Sequence, residues 1–184
     1  MRNIGSIHRQ ILTLFLLTVS ICSTAQYKPV DKGSAVQFKI KNFGFNVSGS
    51  FSGLDGVIKF DPANPGSGSF DVSIDANTIN TDNETRDNHL REDTYFDIKD
   101  YPRIKFVSTK VTASNKQGTY IISGKLTIKK VTQDISFPFT AVQVENGYQF
   151  KGSFKINRRD FDVGGSSTIS DSLEVILDIL SRKI

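Results

Sequence analysis

From Ala35 onward, apolar and polar residues alternate along the chain, the period-two signature of strands with one buried face. Val36, Phe38 and Ile40 alternate with Gln37, Lys39 and Lys41, and Phe70, Val72 and Ile74 alternate with Asp71, Ser73 and Asp75. Tyr120, Ile122, Gly124, Leu126 and Ile128 form a third row. Ile135, Phe137 and Phe139 form a fourth, and Tyr148, Phe150, Phe154 and Ile156 a fifth. Leu173, Val175, Leu177 and Ile179 share one side of a last strand. Turn signals separate these runs. Asp55-Gly56 predicts a hairpin between Phe51 and a Val57–Phe60 strand, and Asp61 to Gly66 ends that strand. Asn115 to Gly118 and Asn146-Gly147 mark two further reversals. With the segments Phe45 to Phe51 and Ile104 to Thr109, the pattern predicts about eight or nine strands, the spacing of an all-β sandwich or barrel.

Thr81 to Arg91 breaks the alternation and predicts one short helix inserted between strands. Thr81-x-x-Glu84 fits a capping box, and Arg86, His89 and Leu90 fall at spacings that share a helical face. At the other extreme, residues 1–25 read as an export signal. Arg2 and Arg9 form a basic start, Ile11 to Ile21 is mostly apolar, and Ser23-Thr24-Ala25 offers small residues before a cut at Gln26. The apolar run is short for a membrane-spanning helix. The expected organisation is a leader over residues 1–25 and one domain over residues 26–184.

Composition changes this picture in three places. Phe is used 14 times and Trp not at all, and a Phe-rich interior carries no polar atom that needs a partner, which suits a dry cavity. Cutting after Ala25 removes two arginines and no acid, so the charge of +4 falls to +2, too little to imply nucleic acid. The same cut removes Cys22, the one cysteine, so neither disulfides nor thiol chemistry are expected beyond it. No Gly-x-Ser-x-Gly elbow and no glycine-rich nucleotide loop occurs, and no enzyme activity is expected. His89 with Asp87, Asp93 and Asp97 is the one conceivable metal set. The simpler reading is that His89 anchors the short helix, and no metal is expected.

Several motifs in register then point further. Gly49-x-Phe51-x-Gly53 and Phe60-Asp61-Pro62 come first. Asn83-x-x-Arg86-Asp87-x-His89-Leu90 and Tyr95-Phe96-Asp97-x-x-x-Tyr101-Pro102-x-Ile104-x-Phe106-x-Ser108 come next. Gly124-x-Leu126-Thr127-Ile128-x-x-Val131-Thr132 and Ile156-Asn157-Arg158-Arg159-Asp160-Phe161 complete the series. Together they resemble YceI-like proteins from about Tyr27 to the C-terminus. The resemblance implies an eight-stranded antiparallel lipocalin-like β-barrel that encloses a polyisoprenoid or similar long-chain lipid, such as an isoprenoid quinone, in the bacterial periplasm. Asp162 stands where the closing motif usually has Gly, and Gly164-Gly165 come later. The segment after them is rich in serine, with Ser166, Ser167, Ser170 and Ser172.

The expected lipid-facing lining is the apolar row of each strand: Phe38, Ile40, Phe70, Val72, Ile74, Phe106, Leu126, Phe137, Phe139, Phe150 and Phe154. Arg86 and Arg158 sit next to Asp87 and Asp160. They are expected to pair with those acids and tie the helix and last hairpin to the barrel. Their alternative role, shared with His89, is to meet a polar lipid head at the mouth. Lys125, Lys129 and Lys130 read as a solvated outer face. Transient membrane contact is compatible with a carrier. The competing reading is a barrel packed solid by its own side chains, acting as a stress-related protein-interaction module.

Overall fold

The structure, a computed structural model, describes residues 25–165 and 168–184. The expected leader therefore lies outside the described residues apart from Ala25. The strands are β1 (Gln26–Pro29), β2 (Ala35–Asn42), β3 (Phe45–Lys59), β4 (Ser69–Asn80), β5 (Arg103–Ala113), β6 (Thr119–Ile128), β7 (Val131–Val144), β8 (Gly147–Asn157) and β9 (Ile169–Lys183). One α-helix, α1 (Glu84–Leu90), comes after β4. Every pairing is antiparallel, and the order β3-β2-β9-β8-β7-β6-β5-β4 returns to β3, so the sheet closes on itself. The fold is the closed eight-stranded antiparallel barrel with one short helix. β1 is not a ninth stave. It lies between β3 and β9, where β2 also lies, pairing Tyr27 with Ile58 and Lys28 with Arg182, so β1 and β2 share one position split by the loop at residues 30–34.

The strands differ from the pattern reading in one instructive place. Asp55-Gly56 makes no hairpin. β3 runs through it as one 15-residue strand whose pairing with β4 shifts register twice, between Ser50 and Ser52 and between Ser52 and Asp55. Gly53 and Gly56 hold φ of 70° and 128°, the left-handed region that bulges use and side chains avoid. A Cβ on Gly56 would lie 2.1 Å from the Asp71 carbonyl oxygen. Amides freed by the bulge donate to Asp31, from Gly53 at 3.2 Å and Leu54 at 2.9 Å, while Arg103 Nη2 donates to the Gly53 carbonyl at 2.8 Å. The bulges also change parity. Val47 and Phe51 face inward before them, and Leu54 and Ile58 after them.

The hairpin that the pattern did not signal is Phe43-Gly44, a two-residue turn between Asn42 and Phe45 with φ of 50° and 83°. Both central residues are left-handed, as a type I′ turn requires. Asn-Gly is the usual sequence there, which is why Phe-Gly passes unnoticed.

One end of the barrel is shut by aromatic rings. Phe60, 1% exposed, sits where β3 ends. Its ring meets Tyr120, Tyr148 and Phe150 edge-on at centroid distances of 5.0, 5.4 and 5.4 Å, and Phe139 at 6.0 Å. Edge-to-face contacts of this kind add about 0.5–1.5 kcal/mol each beyond area burial. Tyr27 closes the cluster against Tyr148 at 5.2 Å. Burial among these rings raises the pKa of the Tyr148 hydroxyl above the ordinary tyrosine value. Replacing Phe60 with Ala is expected to lower unfolding stability by about 3–5 kcal/mol, the usual cost of a phenylalanine-sized core deletion. Urea denaturation checks this, and a loss under about 1 kcal/mol would mean that the ring is not central to this packing.

Candidate functional site

The inward rows of the strands do not fill the barrel. Two chambers succeed one another along its axis, each offering about 160 Å³ to the centre of a water-sized sphere. One water needs only about 10–15 Å³ by that measure, so this is room for a ligand rather than a packing defect. The inner chamber ends against Phe70, Phe139 and Phe150 of the aromatic end. The outer chamber lies under α1 and the segment just after it, bounded by Leu90, Tyr95 and Phe96. Val36, Ile74, Ile104 and Val175 line both and form a waist contributed by four strands. All four are β-branched, so their χ1 angles are stiff and the constriction has little freedom to widen by rotamer change.

The side chains expected to line the interior are distributed between the chambers. Phe38, Ile40 and Leu126 border the outer one, and Phe70, Val72, Phe106, Phe137, Phe139, Phe150 and Phe154 the inner one, with Ile74 at the waist. The register shifts in β3 and β5 leave all eleven facing inward. Gly49 explains how Phe38 fits. The two residues stand opposite each other across β2 and β3, and a Cβ on Gly49 would fall 2.4 Å from the Phe38 ring. Pattern reading missed the part of the outer chamber that comes from outside the strands. Leu90, Tyr95, Phe96 and Val163 reach it from segments without alternation. The signal that could have found Tyr95 and Phe96 is their place in the long motif ending at Ser108.

Polar side chains on the walls are few. The outer chamber has Asn42, Thr81, Arg86 and Arg158, whereas Gln37, Ser73 and Lys151 border the chambers from outward rows, Ser73 bonded to Arg103 and Lys151 to Asp178. The two arginines do not pair with their sequence neighbours. Arg86 donates from Nε to the Thr81 hydroxyl and from Nη2 to the Thr81 carbonyl, both at 2.7 Å. Asp87, buried, instead accepts from the Thr81 amide at 3.0 Å and from the Thr81 hydroxyl. Thr81 thus joins the end of β4 to α1 and is not the helix cap. Asn83 is, its side chain accepting from the Arg86 amide at 2.9 Å. Capping at 83 lets the carboxylate of Asp87 turn back to the strand end, which the expected box from Thr81 to Glu84 would not. His89 is separated from Arg86 and Leu90. It is exposed, bonded through Nδ1 to Glu92 at 2.9 Å and set edge-on to Tyr95, and it does not border the cavity. Among the described residues no group of three candidate metal ligands occurs.

Arg158, 5% exposed, pairs with Asp171 at 2.9 Å rather than with Asp160. Its guanidinium also donates to the carbonyls of Val163 at 2.8 Å, Ser170 at 3.1 Å, Ile169 at 3.2 Å and Gly165 at 3.3 Å. Two turns of sequence are tied together by one planar fork: the 3-10 turn at Arg158–Phe161 that ends β8, and the start of β9. That commitment fits a structural role, because donors already spent on carbonyls are poor recognisers of a passing head group.

A Lys at 158 keeps the charge but not the fork. Arg158→Lys and Arg158→Ala are therefore both expected to lose about 1–3 kcal/mol of stability, the cost of leaving buried carbonyls unpaired. Chemical denaturation of the two variants checks this. Full rescue by Lys would show that charge, not geometry, is what the site needs.

The profile of the YceI-like domain matches residues 27–180. A UPF0312 protein of Photorhabdus laumondii is 32% identical over 171 residues, covering 86% of this chain and 88% of that protein. A UPF0312 protein of Yersinia enterocolitica is 29% identical over 174 residues, covering 89% and 90%. Among solved structures, Burkholderia cenocepacia BcnA superposes with a TM-score of 0.75 at 27% identity, covering 79% of this chain and 94% of that one. The Campylobacter jejuni YCEI protein gives 0.66 at 31%, covering 76% and 86%. A polyisoprenoid binding domain from Saccharophagus degradans, implicated in plant cell wall breakdown, gives 0.71 at 16% identity, covering 88% and 100%, a likeness of fold.

Proposed function

The chain belongs to the YceI-like domain family, and from that premise we propose that it binds a long apolar lipid, a polyisoprenoid or isoprenoid quinone, inside the barrel and carries or buffers it outside the cytoplasm. The observation that carries this reading is the pair of apolar chambers joined at a β-branched waist. A slender branched hydrocarbon threads such a space, gaining roughly 0.8 kcal/mol for each methylene-sized unit removed from water. The aromatic end closes the far side, so entry is from the α1 end. A fold neighbour named for polyisoprenoid binding supports the ligand class. The chemistry of the walls supports binding rather than catalysis: hydrocarbon surrounds the space, and its few polar groups are engaged in hydrogen bonds, Arg86 with Thr81 and Arg158 with Asp171 and backbone carbonyls. The competing solid-barrel reading has no place for the chambers.

Ligand bound only to the folded state raises the melting temperature by mass action. Val175→Phe adds a ring at the waist, where open space lies on both sides. The ligand-free variant is expected to melt within a few degrees of the parent, because the added volume enters a cavity rather than a filled core, where overpacking costs about 1–3 kcal/mol. The parent should be stabilised by a long-chain isoprenoid quinone and the variant should not. The carrier reading fails if no lipid co-purifies with the parent and no isoprenoid or fatty lipid shifts its melt.

Export is the second part of the proposal. It is supported by the basic start, the apolar run and Ser23-Thr24-Ala25. Ile184 donates from its amide to the Gln26 carbonyl at 3.0 Å, so a chain beginning at Gln26 keeps all of β1. Mass spectrometry of the protein from its native host is expected to place the N-terminus at or near Gln26, in the periplasmic fraction. An intact Met1 form held in membranes would contradict it.

A further inference from the structure

Beside the mouth of the outer chamber, the β2–β3 hairpin holds two phenylalanines in solvent. Phe43 is 72% exposed and Phe45 77%, the two most exposed large apolar side chains among the described residues. Among the described residues neither ring is part of the buried core. Phe43 also occupies a left-handed position, φ 50°, where a bulky side chain is an outlier and Asn would be favoured. Strain kept together with exposed hydrocarbon marks a site whose benefit lies outside folding.

The tip is continuous with the cavity. Asn42, just before the turn, borders the outer chamber and pairs with Ile169, another wall residue. Phe45 lies on the same strand face as Val47, two residues on, which also borders the chamber. The inward apolar row of β3 therefore runs past the rim and ends in Phe45. Charge on this hairpin has one sign. Between Lys32 and Asp55 the sequence contains no carboxylate, while Lys39 and Lys41 are exposed on β2. From neighbouring strands, Glu174 of β9 stands opposite Lys39, and neutral Asn46 opposite Lys41.

We propose that Phe43 and Phe45 are a membrane-docking tip that seats the mouth of the barrel on an anionic bilayer, with Lys41 beside them at head-group level. Aromatic side chains that enter the acyl boundary, with lysines behind them, are the general design of surface-bound proteins. The inference rests on the lipid-carrier reading for its purpose, and it supplies a route by which a lipid passes from bilayer to cavity along one strand face.

The test uses a variant that should fold at least as well as the parent. Phe43→Asn installs the favoured Asn-Gly turn, and Phe45→Thr exchanges one good strand former for another, a β-branched and polar one. The purified parent is expected to float with vesicles of phosphatidylethanolamine and phosphatidylglycerol and to be released by high salt. The double variant should float about tenfold less while melting at the same or a higher temperature. Quinone uptake from detergent should be equal in the two proteins, and uptake from vesicles slower in the variant. A parent that loads quinone from detergent yet never floats overturns the docking tip and leaves the carrier reading intact. Equal flotation of parent and variant overturns it as well. So does a parent that ignores vesicles but self-associates until Phe43 and Phe45 are replaced, which would assign the tip to a contact between copies of the chain. Loss of quinone uptake from detergent in the parent would instead count against the carrier.

Discussion

Closure of the sheet is the constraint on which the rest depends. β9 is hydrogen-bonded along one edge to β8 and along the other to β2 and β1, so it joins the first strands to the last. An open sheet of eight strands would carry two unpaired edges and a flat apolar face, each an invitation to aggregate. Closed, the same strands turn their apolar faces toward one another around an axis. Eight is the number at which the interior is just wide enough either to be filled by side chains or to hold one slender ligand. Small differences in wall residues decide between these outcomes. Here the β-branched waist and the recessed rings leave two chambers rather than none.

The two ends of the barrel are built by different means. Rings converge on Phe60 at one end, and dense edge-to-face packing excludes both water and hydrocarbon. At the other end there is no such plug. α1, the Tyr95-Phe96 segment and the turn around Arg158 border the outer chamber, held by polar bonds as well as by the edge-on contacts of Phe96 with Phe51 and of Tyr95 with His89. Rings converging on Phe60 at one end, and a smaller apolar cluster around Phe161 with a hydrogen-bonded rim at the other, make the two ends of the cavity unlike. A ligand entering at the rim meets hydrocarbon all the way to the rings.

Arg158 shows how much a single buried cation organises. Left unpaired it would be costly in this setting, yet its bonds to Asp171 and to backbone carbonyls hold the loop between β8 and β9 in place. That loop is where the closing motif departs from its usual pattern, with Asp162 in the left-handed conformation at φ 55° in the position that glycine would normally take. Asp tolerates that region better than most residues. Of the Ser-rich stretch beyond it, Ser166 and Ser167 lie outside the described residues.

Alternation by itself determined the all-β class, the inward row of most strands and the Phe-rich interior, because strand geometry sends successive side chains to opposite faces whatever the surrounding fold. The motifs in register added the barrel and the expectation of a lipid inside it. What required the tertiary structure is everything set by meetings across the chain. Asp55-Gly56 has the local chemistry of a turn, yet it became a bulge because β4 pairs with β3 on both sides of it, and Asp31 and Arg103 satisfy the polar groups that it frees. Arg86 and Arg158 sit beside acids in sequence, but neighbours along a chain seldom face each other. Their partners, Thr81 and Asp171, come from elsewhere. The waist, the aromatic end and the exposed Phe43-Gly44-Phe45 tip are likewise products of closure, since only the closed barrel decides which apolar residues are enclosed and which two are left outside.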